Sequence, residues 1–506
     1  MTSSKPLALL VAAYTAALLA LTGLPWCDLP GHLARIAILG KILFSSGDYY
    51  GRHYSFHWMF APYILWDLLA AVTGRFLPLV ANGLLWTAIA FLGVVASGWH
   101  LAKVRLRSSA QVRTLAVLSV LIASGWFFAM GFFAYQLGFA LSLTALALGH
   151  GIRRAGARAT AGRHALYALT VAACYLAHLG GYLGLCLISG AAGLAAVLEN
   201  RRNVRRELGL LAPPSALVAW HALAALSSDD GRAGVYVYGA VSRKFLALSS
   251  PWLRLPLRWD WPLAAGVALS LLLLAFRARR ALKTLSPRAL LTDDAFLAVA
   301  FLSAAYAILP QGGLGGWDDD TRMLPYLFYF SFLWLASLQP RADGAGARPT
   351  GPEAVLLATA WIALFALVVQ LWPYNRRMRD YRDLLGQIPP RKLVLPVSTE
   401  PPLGRLAPTL HQGDLYAALR EGSTPYLFAR RNGPIPFFDF REGSGAPDIF
   451  WYVRSLPPEW GRMSPPCDYV VVAKPFDPAR LPPVGPIFFE NESAAVFRMA
   501  APATEN

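Results

Sequence analysis

Asp28, His32 and Arg35 stand together in the run Asp28-Leu29-Pro30-Gly31-His32-Leu33-Ala34-Arg35. A helix that starts at Pro30 gathers the imidazole and the guanidinium near one end, with the carboxylate just ahead of it. A carboxylate in that place can take the proton of an incoming hydroxyl or amine, while a guanidinium holds a phosphate through paired, charge-assisted hydrogen bonds. Asp28 also suits the purely structural role of N-cap to the same helix. Downstream, Arg52-His53-Tyr54-Ser55-Phe56-His57-Trp58 adds His53 and His57 to the same segment. Three histidines invite a metal ion, although spacings of 21 and 4 residues match no standard ligand pattern. His178, beside Gly180-Gly181, is either a packed helix-end residue or a further site group.

Two other stretches carry charge next to apolar sequence. Arg243-Lys244 precede Phe245-Leu246-Ala247-Leu248, where Lys244 can grip a lipid-linked phosphate or simply snorkel to a membrane surface. The run from Gly312 to Pro325 holds four glycines, then Asp318, Asp319 and Asp320, then Arg322 at the start of an apolar segment. An Asp triplet can bind Mg²⁺ or Mn²⁺ through its oxygens, and it can equally cap a helix at a solvated hairpin tip. Arg322, so close to an apolar phase, requires a partner: a diphosphate or one of these aspartates.

The elements that position these groups are membrane spans. Of the 506 residues 56% are hydrophobic, and mean hydropathy is +0.43. Only 15% are charged, where a soluble protein carries about 25%. A net charge of +17 would point to nucleic acid in a soluble domain. Here most of the excess lies in short basic loops: Lys103 to Arg113, Arg153 to Arg163, Arg201 to Arg206, Arg277 to Arg288, and the sparser Arg341/Arg348. Short loops rich in Lys and Arg stay cytoplasmic, so topology accounts for the charge and nucleic acid is excluded as a partner.

Segments of roughly 20 apolar residues can span a bilayer. Eleven are expected, at 7–25, 78–102, 112–129, 131–150, 164–180, 182–198, 208–226, 261–280, 292–310, 323–339 and 353–371, with the N-terminus inside and the C-terminus outside. The stretch 58–74 is placed as an interfacial or re-entrant helix, because a span there would move the basic cluster at 103–113 outside. Outer loops are then 26–77, 227–259 and 311–322, and all the groups named above face outward. Residues 372–506 alternate Pro/Gly turns with apolar runs such as Tyr469-Val470-Val471-Val472, the pattern of a small extracytoplasmic α/β domain. The expected fold is mainly α: a polytopic helical bundle over 1–371 with that small domain at its C-terminus. Four cysteines show no metal-type spacing.

The Asp-x-Pro-Gly-His-x-x-Arg run after the first span resembles the GT-C superfamily. So do the outer loop with membrane-surface helices, the Asp-x-x-Arg-x-x-Pro pattern from Asp319 to Pro325, and the final Pro-Ile-Phe-Phe-Glu-Asn-Glu-Ser-Ala-Ala-Val-Phe-Arg. These are membrane glycosyltransferases that use polyprenyl-phosphate-linked sugars, among them oligosaccharyltransferases, protein mannosyltransferases and aminoarabinose transferases. The resemblance implies a multi-pass protein of the bacterial inner membrane. It would transfer a hexose or pentose, with inversion, from a polyprenyl phosphate to a lipid, glycan or protein acceptor. It also implies that a carboxylate of the first outer loop acts as base or metal ligand, and Asp28 stands at that position. The chain departs from the Asp-Glu pair of the mannosyltransferases, since Leu29 follows Asp28. On this reading Asp28 and His32 are catalytic, and Arg35, Lys244 and Arg322 hold the donor phosphate. His53, His57, His178, Asp318, Asp319 and Asp320 serve the acceptor or a divalent cation. A lipid-linked glycan ligase or polymerase is the alternative, and a non-catalytic transport or assembly protein is another. A transporter, however, would carry ionisable groups at mid-span rather than at the outer ends.

Overall fold

The computed structural model describes residues 5–45, 48–200, 203–226, 237–249, 257–312, 319–339, 350–398, 408–409, 411–424, 438–440, 467–476, 481 and 484–499. In chain order the helices are α1 (Lys5–Ala20), α2 (Leu29–Phe44), α3 (Asp48–His53), α4 (Ile64–Thr73), α5 (Leu79–Arg105), α6 (Ser109–Ala123), α7 (Trp126–Ala129), α8 (Phe133–Ala155) and α9 (Ala161–Ala177). They continue with α10 (Leu179–Glu199), α11 (Val204–Leu226), α12 (Val241–Ser249), α13 (Leu257–Thr284), α14 (Pro287–Leu291), α15 (Asp294–Ile308), α16 (Leu324–Ser337), α17 (Gly351–Leu385) and α18 (Leu415–Arg420). Strands are β1 (Tyr54–Phe56), β2 (Val394–Val397), β3 (Phe438–Phe440), β4 (Tyr469–Ala473), β5 (Val484–Glu490) and β6 (Ala494–Met499).

Each of the eleven expected spans falls on a helix. Among the described residues five helical segments are individually long and apolar enough to cross a bilayer: Leu79–Arg105, Ser109–Ala129, Leu179–Glu199, Asp260–Thr284 and Gly351–Leu385. The stretch at 58–74 yields only α4, with 10 residues. At 1.5 Å per residue it covers about 15 Å, half the hydrocarbon thickness, and does not cross.

Helices of this kind associate through small residues, since lipid gives apolar surfaces little reason to pair. A Cβ on Gly181 would lie 2.7 Å from the Gly138 backbone, so α8 and α10 touch main chain to main chain. At their basic ends the bundle is laced by ion pairs. Arg105 pairs with Asp294, Arg113 with Glu353 at 2.7 Å, and Arg153 with Glu207 at 2.8 Å. Several cations read as topological markers are thus also fasteners between helices.

At the other end the tail folds onto the segment between α1 and α4. The sheet has the order β2-β4-β6-β5, with β2 and β4 parallel and the other pairs antiparallel. Before it, α17 runs on to Leu385, so the domain boundary expected at 371/372 falls inside a helix. The turn at 412–414 and α18 pack on α2, and β3 pairs antiparallel with β1. Gln412 donates to the Leu24 carbonyl at 3.0 Å, and the Tyr54 hydroxyl meets Ser423 at 2.8 Å.

Candidate active site

Asp28 is set by the irregular link between α1 and α2. Trp26, fully buried, packs edge-on against Phe128 and Phe133, and the Asp28 amide donates to the Met130 carbonyl at 2.9 Å. Across from it Gly131 has φ +83°, and a Cβ there would stand 2.8 Å from the Leu29 nitrogen. Only glycine allows both that backbone and that approach. Asp28 occupies the N-cap position of α2, yet its side chain makes no capping hydrogen bond. The carboxylate turns instead toward the tail, where Oδ1 lies 3.8 Å from His411 Nε2, and 14% of the side chain is exposed.

Arg35, expected at the donor phosphate, is engaged by a carboxylate of the protein itself. Its side chain is 1% exposed and forms a bidentate pair with Asp67 of α4, Nε to Oδ2 at 2.8 Å and Nη2 to Oδ1 at 2.9 Å. Burial raises the Asp67 carboxyl above its ordinary range, and the Arg35 charge and hydrogen bonds oppose that rise. The pair fastens the surface helix α2 to α4. Arg35 also lies 2.9 Å from His32 Nδ1. A guanidinium can only donate, so Nδ1 accepts and Nε2 carries the proton. Burial, then Arg35 and His411, push the His32 pKa well below the usual value. His32 is therefore a neutral donor at physiological pH, and Asp28 beside it is the group able to take a proton.

The second cluster centres on Arg322, 6% exposed. Nη1 donates to Asp319 at 3.0 Å, and the guanidinium carbon lies 5.6 Å from the Phe132 ring centroid. Nε has no hydrogen-bond partner among the described residues. Tyr135 fixes the backbone here by donating to the Arg322 carbonyl at 2.7 Å. Tyr63 has φ 75°, a left-handed conformation that costs a bulky residue on the order of 1–3 kcal/mol. That geometry places its ring 4.6 Å from His178, with its hydroxyl hydrogen-bonded to Arg322. His178 caps α10, accepting from the Gly180 amide at 2.9 Å, so it is a helix-end residue that also stands beside this cluster.

The remaining sequence-derived groups take structural positions. Lys244, expected at the donor phosphate, donates instead to the C-terminal end of α15, at Tyr306 O (2.6 Å), Ala307 O (3.1 Å) and Leu309 O (2.8 Å). Asp320 lies 3.6 Å from Lys244 and 3.8 Å from Arg243, and accepts from the Thr321 amide. Asp319 pairs with Arg322. Asp318 lies outside the described residues, as does most of the glycine run before it. His53 packs on Tyr49, and exposed His57 meets Ser55 at 3.2 Å. Among the described residues no group of three or more His, Cys, Asp or Glu side chains is placed to hold a metal.

Three important groups were missed from sequence. Asp67 had a signal, because a lone carboxylate in an apolar stretch demands a partner. His411 and Asp414 had only a three-residue spacing, inside a segment read as part of a separate domain.

No family model matches the chain, and no curated protein matches it. Among solved structures, ArnT from Cupriavidus metallidurans, crystallised with undecaprenyl phosphate, aligns over 99% of this chain and 99% of its own. Identity is 12% and the TM-score 0.51. The chain shares the overall fold of that ArnT structure. At that coverage the alignment takes in the helical bundle, the segment between α1 and α4 and the tail together. Within this fold the 126–136 segment links the two clusters, with Met130 bonded to Asp28 and Phe132 beneath Arg322.

Proposed function

We propose that the chain is a glycosyltransferase that moves a sugar from a polyprenyl phosphate to an acceptor on the outer face of a bacterial inner membrane. The observation that carries this reading is the Asp28 carboxylate, which stands at the N-cap of α2 without capping it and is partly open to solvent. The undecaprenyl phosphate named with the ArnT structure supports a donor of this class. In the reaction the acceptor heteroatom attacks the anomeric carbon while Asp28 takes its proton. The bond from that carbon to the phosphate oxygen breaks, and the electron pair leaves with the phosphate. A phosphate leaving group needs charge neutralisation rather than covalent help, and the unpartnered Nε of Arg322 offers a directed donor for it.

The test is undecaprenyl phosphate release by purified protein from a panel of undecaprenyl-phosphate-linked hexoses and pentoses, read by mass spectrometry. In parallel, surface glycans and lipids of a deletion strain are compared with those of its parent. Release from one donor, matched by loss of that sugar from one envelope species, is expected. No release from any donor, with an unchanged envelope, sinks the reading in favour of a transport or assembly role.

Arg322→Lys is expected to weaken that donor's affinity by about tenfold or more, given roughly 1.5–3 kcal/mol for a hydrogen bond to a charged group. Lysine keeps the charge but not the planar fork. Donor titration at matched folding and lipid content checks this. Wild-type affinity would make Arg322 a helix anchor, since either cation can snorkel.

A further inference from the structure

Behind Asp28 stands a second carboxylate, reached through an imidazole. His411 Nδ1 lies 3.0 Å from Asp414 Oδ2, and Asp414, fully buried, accepts from the Thr424 hydroxyl through its other oxygen at 3.1 Å. The backbone of this turn is tightly held. Gln412 is bonded to Leu24, and a Cβ on Gly413 would lie 2.1 Å from Pro396 Cβ, where only glycine fits. His411 is therefore fixed in orientation by a carboxylate on one side, the arrangement that selects a tautomer.

That tautomer has a consequence. With Nδ1–H donated to Asp414, the neutral ring presents a lone pair at Nε2, and this atom faces Asp28 Oδ1 at 3.8 Å. The two acceptors thus stand at ion-pair distance, too far apart for a hydrogen bond, and must draw together once one of them carries a proton. The charged and titratable groups facing His411 are Asp28 at 3.8 Å, Asp414 in the same turn at 3.0 Å and His32 of α2 with its partner Arg35, while Tyr381 of α17 lies within electrostatic reach of Asp414 and Arg377. Arg35 is neutralised by Asp67, and Arg420 donates to the Ile388 carbonyl at 2.9 Å.

We propose that His411 is the positioning and proton-accepting residue behind Asp28, and that the tail thereby completes the active site. This rests on Asp28 being the base. The acceptor's proton passes to Asp28 Oδ1 and on to His411 Nε2, and Asp414 stabilises the imidazolium. Asp28 is ionised again once it has passed the proton on, and as product leaves His411 releases that proton to water. No other bond changes, because the glycosyl bond is made and the phosphate bond broken at the sugar.

The deciding measurement needs no substrate. Full-length protein in detergent is incubated in deuterated buffer from roughly pH 5 to pH 9, bracketing the ordinary imidazole titration. Exchange of the His411 ring C2–H is then read by mass spectrometry of its peptide. Asp28→Asn is expected to lower the His411 midpoint by about one unit or more, the size of effect an opposite charge within about 4–6 Å produces. Exposed His57 serves as internal control and should not move. An unchanged His411 midpoint in Asp28→Asn overturns the relay, because a histidine that merely braces the tail turn would not sense Asp28. Donor cleavage separates the two ideas. Wild-type turnover in Asp28→Asn overturns the base assignment and the relay with it. An inactive Asp28→Asn beside a His411→Asn of unchanged kcat overturns the relay alone.

Discussion

Asp28→Asn is expected to lower donor turnover by about 10²- to 10⁴-fold, the range spanned by general-base contributions. It should do so with little change in stability. Were Asp28 an N-cap in the energetic sense, Asn would serve as well and the substitution would be silent. The side chain makes no capping bond, so neither the loss nor the retention of a cap enters the outcome. Asn is isosteric and keeps the main-chain bond to Met130, but it cannot accept a proton. Turnover of undecaprenyl phosphate, measured beside thermal unfolding in the same detergent, gives the answer. Activity within about threefold of wild type, a difference under 1 kcal/mol, would place the base elsewhere.

The second large effect is structural. Asp67→Asn leaves the Arg35 guanidinium buried without its anion, which costs about 3–5 kcal/mol where one partner of a buried pair is lost. For a fold of ordinary stability that is a large fraction of the total. A sharply lowered unfolding midpoint and poor recovery from detergent are expected. Replacing both partners, as Arg35→Met with Asp67→Leu, removes the uncompensated charge and should recover most of the loss. The double variant also decides the role of Arg35. Because Arg35 donates to His32, kcat is free to change, so donor affinity is the discriminating quantity. Affinity within about threefold of wild type is expected. A folded double variant that no longer binds donor would return the phosphate to Arg35.

These two residues show where sequence reading succeeds and where it stops. Asp28 was placed at a helix start beside water from local sequence, because Pro30, Gly31 and the end of an apolar run leave few other conformations. His32 and Arg35 were placed within reach of each other from helical spacing alone, and they are 2.9 Å apart. What Arg35 holds was not legible. Its partner sits 32 residues away on α4, and a buried guanidinium takes whichever anion the packing delivers. Lys244 repeats the lesson, since its three acceptors are carbonyls on α15 that no residue type could announce.

The apolar segments, the basic loops between them and the helix starts were set by short-range physics: hydropathy over about 20 residues, charge near span ends, and turn chemistry. Those features determined a polytopic helical bundle with polar groups gathered at one end and a small C-terminal sheet. Only the tertiary structure decided which side chains of that face meet. Glycine contacts let α8 and α10 close together, the 126–136 segment joins Asp28 to Arg322, and the tail folds back so that His411 faces Asp28. Contacts between distant segments depend on side-chain packing and on exclusion of water from buried charges, and neither is encoded in local spacing.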